Sequence, residues 1–374
     1  MRYYIIAGEA SGDLHGSNLM KALKKEDSEA EFRIWGGDLM EAVGGTLVKH
    51  YRDLAFMGFV EVVKNIKTIL NNFKICKDDV IKYQPDVLIL IDYPGFNLRI
   101  AKWAKQKNIK VFYYISPQIW AWNSRRVHSI KRTIDKMFVI LPFEKDFYKK
   151  YDCEVEFVGH PLLDVVVERP INSNFRKENN LSEKPIVALL PGSRKQEITR
   201  MLDGMLSVVN EFPEHQFVIA GAPSIPIYFY NNLIQNIDNQ HIKIIQNETY
   251  DLLQHSKAAL VTSGTATLET ALFNVPQVVC YNGSPISYQI AKRLINVKYI
   301  SLVNLIVDHE IVTELIQKDF NKTNLTLELG KILDAQKVKP VLDGYLLLKE
   351  KLGNSGASQK AASKMFSELQ KYKS

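Results

Sequence analysis

Apolar runs of four to six residues recur along the chain, each breaking off at a polar residue or into a glycine or proline turn. In the first half they occupy residues 3–7, 87–91, 110–115, 137–141 and 155–158; in the second, 186–190, 216–220, 242–245, 258–261 and 277–281. Runs this short, with little polar alternation, fit strands buried on both faces, the environment of a parallel sheet covered by helices. The stretches between them, such as 97–106 and 144–151, carry helical periodicity. The pattern predicts an α/β protein built by βαβ alternation.

At 374 residues, the chain exceeds twice the soft prior of ~150 residues per domain, and the runs fall into two series. Two doubly wound, Rossmann-like parallel-sheet domains are expected, at 1–168 and 180–348, with the polar stretch 170–180 as a linker. Ligands of such sheets bind outside the carboxyl ends of the strands, so two of them predict a cleft faced by both. No solenoid-like repeat is visible. With 46% hydrophobic and 24% charged residues, the composition is that of a globular protein.

A net charge of +7 favours anionic partners, whether nucleic acid, anionic lipid or a phosphorylated substrate. The basic residues are dispersed and match no nucleic-acid-binding motif, which argues against the first. Cys76, Cys153 and Cys280 lie too far apart for a zinc site and are odd in number, which fits a reducing cytoplasm. The first apolar run is too short for a signal peptide, and none approaches the ~18 residues of a spanning helix, so any membrane contact is expected to be peripheral.

Four loops carry candidate chemistry. Gly8-Glu9-Ala10-Ser11-Gly12-Asp13 follows the first strand and opens a helix, where free amides suit an anion or a sugar hydroxyl; a tight turn capped by Ser11 is the structural alternative. It is not a dinucleotide fingerprint. Asp92, in Ile91-Asp92-Tyr93-Pro94-Gly95-Phe96-Asn97, stands at a strand's carboxyl end, as a general base for a sugar hydroxyl or as a turn-stabilising carboxylate. Gly192-Ser193-Arg194 repeats the strand, turn and helix-start arrangement with two cations, Arg194 and Lys195, suited to a diphosphate, with a surface basic turn as the structural alternative. In Thr262-Ser263-Gly264-Thr265-Ala266-Thr267-Leu268-Glu269, small residues expose amides to phosphate and Glu269 is placed to accept ribose hydroxyls, although the same residue types cap ordinary helices.

Two further segments concern surfaces. Residues 56–70 read as an amphipathic helix whose apolar stripe includes Phe59, Val62, Val63, Ile66, Ile69 and Leu70, with Lys64, Lys67 and Lys74 off the stripe; core packing or membrane and acyl-chain contact are its two readings. Residues 120–132 interleave Trp120 and Trp122 with Arg125, Arg126, Lys131 and Arg132, as a lipid-headgroup surface or a solvated basic helix.

These pieces, with Met57-Gly58-Phe59-Val60-Glu61-Val62, Ser116-Pro117-Gln118-Ile119-Trp120-Ala121-Trp122, Leu141-Pro142-Phe143-Glu144, Gly159-His160 and Ser301-Leu302-Val303-Asn304-Leu305, resemble in order the lipid-A-disaccharide synthase family. The resemblance implies a GT-B fold and inverting transfer of 2,3-diacylglucosamine from UDP to 2,3-diacylglucosamine 1-phosphate (lipid X), giving a β-1,6-linked disaccharide 1-phosphate. It implies Asp92 as the base and Arg194, with Gly192 and Ser193, at the UDP diphosphate. Thr262, Ser263, Gly264, Thr265, Ala266, Glu269 and Asn304 would lie around the nucleotide, with Glu9 and Ser11 facing the donor. It further implies peripheral association with the inner face of the cytoplasmic membrane and a C-terminal helix within 350–374 that completes the first domain. Homodimerisation is left open. Neither a metal nor a cofactor is implied, and no Asp-x-Asp motif occurs. Gly95 departs from the family, whose members commonly carry an aspartate there. The competing readings are a UDP-N-acetylglucosamine 2-epimerase or another GT-B transferase, and a non-catalytic nucleotide-sugar-binding protein.

Overall fold

The computed structural model of the chain describes residues 1–54, 66–235, 242–284 and 297–372, and within them two all-parallel sheets. The first comprises β1 (Arg2–Ala7), β2 (Glu31–Gly36), β3 (Thr46–His50), β4 (Val87–Ile91), β5 (Val111–Tyr114), β6 (Lys136–Val139) and β7 (Glu156–Phe157), in the order β3-β2-β1-β4-β5-β6-β7. The second comprises β8 (Ile186–Leu190), β9 (Gln216–Gly221), β10 (Ile242–Gln246), β11 (Ser256–Thr262), β12 (Gln277–Tyr281) and β13 (Glu314–Ile316), in the order β10-β9-β8-β11-β12-β13. Each order reverses once, between β1 and β4 and between β8 and β11. Ligands of doubly wound sheets bind at such reversals.

Burial explains why the apolar runs are strands. All five residues of β4 and residues 3–7 of β1 are fully inaccessible, as expected of central strands covered on both faces. Each buried aliphatic side chain contributes roughly 1.5–3 kcal/mol relative to leaving it in water. The three strands not anticipated are those without a continuous apolar run. β2 alternates, and its half-buried Arg33 forms a fork to Asp79 at 2.7 and 2.6 Å. β3 is a half-buried edge strand and β13 has three residues.

Contacts divide the chain into one unit of residues 1–164 and 354–374 and another of 165–353. Residues 170–180 are therefore not a free linker. Phe175 is fully buried within the second unit and stacks on His255 at 5.0 Å, and His255 Nε2 lies 2.8 Å from the Asn172 carbonyl. A short helix, Phe175–Glu178, forms inside the stretch.

The last helix, Ala357–Lys371, buries Ala357, Ala361, Ala362, Met365 and Leu369, and their spacing forms one stripe. It packs against the helix Ala10–Glu26 of the same unit. Asp164 holds its start by accepting the amides of Gly356, Ala357 and Ser358 at 2.5, 3.2 and 3.1 Å, acting as an N-cap supplied from a distant point in the chain. Asp164→Ala is expected to cost about 1–2 kcal/mol, the upper range for a lost cap. The check is amide exchange: protection should fall over residues 356–371 and stay unchanged in β8 and β11.

Candidate active site

All four candidate loops fall at the two order reversals. Gly8–Asp13 follows β1 and Asp92 follows β4; Gly192–Arg194 follows β8 and Thr262–Ala266 follows β11. Each pair of loops lies at the carboxyl ends of adjacent strands, since Ala7 pairs with Ile91 and Val261 with Leu190.

In the first unit the backbone at Asp92 is left-handed, with φ +43° there and +48° at Tyr93. Two successive non-glycine residues in this region cost of order 1–3 kcal/mol each, so the surroundings must impose the turn. They do. The Asp92 amide donates to the Tyr114 carbonyl at 3.1 Å, and its own carbonyl accepts from the buried Asn97 amide group at 2.8 Å and from the Tyr113 hydroxyl. Tyr93 lies against Gly8, where a β-carbon would come within 2.3 Å of the ring, so only glycine permits this packing. The result projects the Asp92 carboxyl from a rigid turn. Burial, reinforced by the negative charge of Glu9, pushes that carboxyl up to about 7.

Asp13, at the end of the first loop, has a structural duty. Asp13 is buried and accepts the amides of Gly37, Leu39 and Met40 at 2.7, 3.1 and 3.1 Å, which fixes the helix Asp38–Ala42. Ser11 is not the cap. Glu9 holds the N-cap position, and Ser11 is an exposed residue in the helix's first turn.

In the second unit Gly192 adopts φ +112°, and Arg194 is the N-cap of the helix Lys195–Leu206. The Arg194 side chain is 53% exposed and pairs with Glu197 at 3.1 Å. An exposed i,i+3 pair contributes only about 0.3–0.5 kcal/mol, so the guanidinium is readily redirected to a stronger anion. Gly264, Thr265 and Ala266 provide the first amides of the helix Thr265–Leu272, which have no intrahelical acceptor. Thr262 Oγ1 is buried without a hydrogen-bond partner among the described residues. The Glu269 carboxylate accepts the Tyr250 hydroxyl at 3.1 Å, and burial raises its pKa despite that bond.

Two of the expected nucleotide contacts also hold bonds within the fold. Ser263 uses its amide on the Cys280 carbonyl at 3.1 Å and its hydroxyl on Ile300 at 2.8 Å. Asn304 is fully buried; its Nδ2 donates to Val312 O and Glu314 Oε1, and its Oδ1 accepts the amides of Ile311 and Val312, all within 2.8–3.1 Å. Its amide group is fully used, so it acts by holding the loop. Glu314, which the sequence did not single out, is the hub: it also accepts the Ile300 and Ser301 amides at 2.9 Å each and the Ser301 hydroxyl at 2.7 Å.

Residues 3–365 match the sequence profile of the lipid-A-disaccharide synthetases. The chain belongs to that family. It is accordingly an enzyme, a glycosyltransferase of lipid A biosynthesis. The lipid-A-disaccharide synthase of Syntrophus aciditrophicus is 40% identical over 96% of this chain and 95% of its own length; that of Coxiella burnetii (strain Dugway 5J108-111) is 36% identical, covering 96% of each. Family membership removes the epimerase and the non-catalytic alternatives. The fold is shared more widely. The UDP-GlcNAc 2-epimerases of Methanocaldococcus jannaschii, solved with UDP-GlcNAc and UDP, and of Neisseria meningitidis superpose with TM-scores of 0.65 and 0.64. They cover 98% and 100% of this chain and 99% and 100% of their own, at 16% and 13% identity, which carries the GT-B fold and nothing finer.

Other segments that carry the resemblance build the first unit. Glu144 is buried and accepts the amides of Ile140 and Leu141 at 3.2 and 2.9 Å, so it braces its own helix; burial pushes it up to about 7. Trp120 meets Phe143 edge-on at 4.9 Å, while Arg125, Lys131 and Arg132 are exposed. The expected membrane helix is only partly within view. Phe59, Val62 and Val63 lie outside the described residues, as does the side chain of Ile66. The helix runs Ile66–Tyr83; Ile69 is half-buried and Leu70 is 60% exposed, beside exposed Lys67 and Lys74. Among the described residues no helix is long and apolar enough to cross a membrane, and no group of three or more His, Cys, Asp or Glu residues is placed to hold a metal.

Proposed function

We propose that the chain transfers 2,3-diacylglucosamine from its UDP ester to the 6-hydroxyl of 2,3-diacylglucosamine 1-phosphate with inversion, giving the β-1,6-linked disaccharide 1-phosphate and UDP. The observation that carries this reading is Asp92, a carboxyl held by a strained, fully braced turn at the first sheet's order reversal. As the acceptor oxygen forms its bond to C1 of the donor sugar, its proton passes to Asp92, and the C1–phosphate bond breaks with its electron pair leaving on UDP. Arg194 and the amides at the starts of Lys195–Leu206 and Thr265–Leu272 stabilise the departing charge. Glu269 accepts the ribose hydroxyls, and Glu9 sits beside the base. The N-terminal unit takes the acceptor and the other the nucleotide. Leu70, flanked by Lys67 and Lys74, fits peripheral contact with an anionic membrane surface, from which both acylated substrates come.

The direct test supplies UDP-diacylglucosamine and lipid X and follows both products. Disaccharide and UDP are expected one for one; UDP without disaccharide would sink the reading. A base must be ionised to act, so kcat/KM is expected to fall as pH drops through about 7. Glu9→Gln removes a negative neighbour and is expected to move this acid limb to lower pH. An unmoved limb would separate Glu9 from the base.

A further inference from the structure

Glu269 does not stand alone in the helix Thr265–Leu272, one turn past its start. Its Oε1 accepts the hydroxyl of Tyr250, from the helix Thr249–Gln254, at 3.1 Å. The Tyr250 ring in turn faces the guanidinium of Arg169 at 5.5 Å. Arg169 binds the neighbouring Asp251 through two nitrogens, Nη2 at 2.5 Å and Nε at 3.3 Å, a fork that fixes the plane of the guanidinium. Asp251 is buried, and Arg169 is only five residues past the point where the chain enters the second unit. The segment after Arg169 is clamped to the end of the Tyr250 helix by the Asn172–His255 bond and the Phe175–His255 stack.

We infer that Tyr250 is a positioning residue that orients the Glu269 carboxylate toward the nucleotide's ribose, and that the Arg169–Asp251 pair holds Tyr250 in place for that purpose. The inference rests on the reading of Glu269 given above. Each carboxylate oxygen has two lone pairs. Oε1 can therefore keep the Tyr250 bond while accepting one ribose hydroxyl, and Oε2 accepts the other. A carboxylate freed from Tyr250 would rotate about its last torsion, which is broad and roughly two-fold, and would lose this two-point fit. Arg169 contributes by packing its charge against the ring face, and Asp251 prevents it from pairing with Glu269 instead.

The experiment measures the dissociation constants of UDP and 2′-deoxy-UDP for the full chain and for Tyr250→Phe, Arg169→Gln and Glu269→Gln. Tyr250→Phe keeps the ring and removes one hydrogen bond to a charged group, so UDP affinity is expected to fall about tenfold. The preference for UDP over 2′-deoxy-UDP should shrink with it, and Arg169→Gln should move both in the same direction by less. A general loosening of the unit would weaken both nucleotides equally, so an unchanged preference overturns the inference, as does wild-type UDP binding by Tyr250→Phe. If Glu269→Gln itself binds UDP and 2′-deoxy-UDP as the wild type does, the reading of Glu269 fails, and the inference with it. Loss in Glu269→Gln with none in Tyr250→Phe or Arg169→Gln would leave that reading standing and remove only Tyr250 and its holders.

Discussion

Asp92→Asn is expected to lower kcat by about 10²–10⁴, the range for losing a positioned general base, while UDP affinity stays within about threefold of wild type. Asparagine suits the test because it tolerates the left-handed backbone at φ +43°, so the braced turn should survive the substitution. The same change should stabilise the protein. Burial raises the Asp92 carboxyl from 3.8 to about 7, so the folded chain binds this proton more tightly than the unfolded chain does. Its stabilising effect is complete only below the unfolded value and is lost as pH rises from there through about 7, above which an ionised, poorly solvated carboxylate burdens the fold. The neutral amide removes that burden, a gain on the order of 2 kcal/mol at pH 8 after allowance for solvent around a partly exposed group. Melting temperatures of the two proteins should differ most at pH 8 and converge toward pH 4. Full turnover by Asp92→Asn would remove Asp92 from the mechanism, whatever the melting curves show.

The opposite movement of activity and stability bears on what a sequence can disclose. The strands that deliver the four loops are readable because central parallel strands must be apolar throughout, and a sudden Gly, Asp or Pro marks where each one ends. The left-handed turn at Asp92 is not readable. The residue before a proline is usually extended, yet Tyr93 is at φ +48°, because bonds from Tyr113, Asn97 and Tyr114 impose a turn that local preference would reject. The helix that follows begins at Pro94 in the N1 position rather than at Asn97, whose side chain is turned back onto the strand end. Long-range partners were equally hidden. Asp164 caps a helix that begins nearly two hundred residues later, and Glu314 gathers amides from residues 300 and 301. In each case the residue type is ordinary and the meaning lies in a partner that only folding brings near. Asn304 shows the converse ambiguity: a polar residue in a ligand-rich motif is as readily the brace of a loop as a contact on it.

Arg194 is the position where charge, rather than a proton, should set the rate. Its guanidinium sits at the start of the Lys195–Leu206 helix, so its charge and the helix's first amides act on the same place. Its pairing with Glu197 is exposed and weak, which makes the cost of redirecting it to a diphosphate small beside the charge-assisted bonds it would gain. Arg194→Ala is expected to reduce kcat by about 10²–10³, as for the loss of one preorganised donor at a site of developing charge. UDP affinity should fall as well, which distinguishes this variant from Asp92→Asn. Stability should change by less than about 0.5 kcal/mol, because the side chain is exposed. Arg194→Lys restores the charge without the planar fork, so it should recover part of the UDP affinity and less of the rate. A lysine variant with full wild-type turnover would mean that point charge alone suffices; an alanine variant with unchanged kcat would place leaving-group stabilisation on the backbone amides of Thr265 and Ala266 and leave Arg194 outside the chemistry.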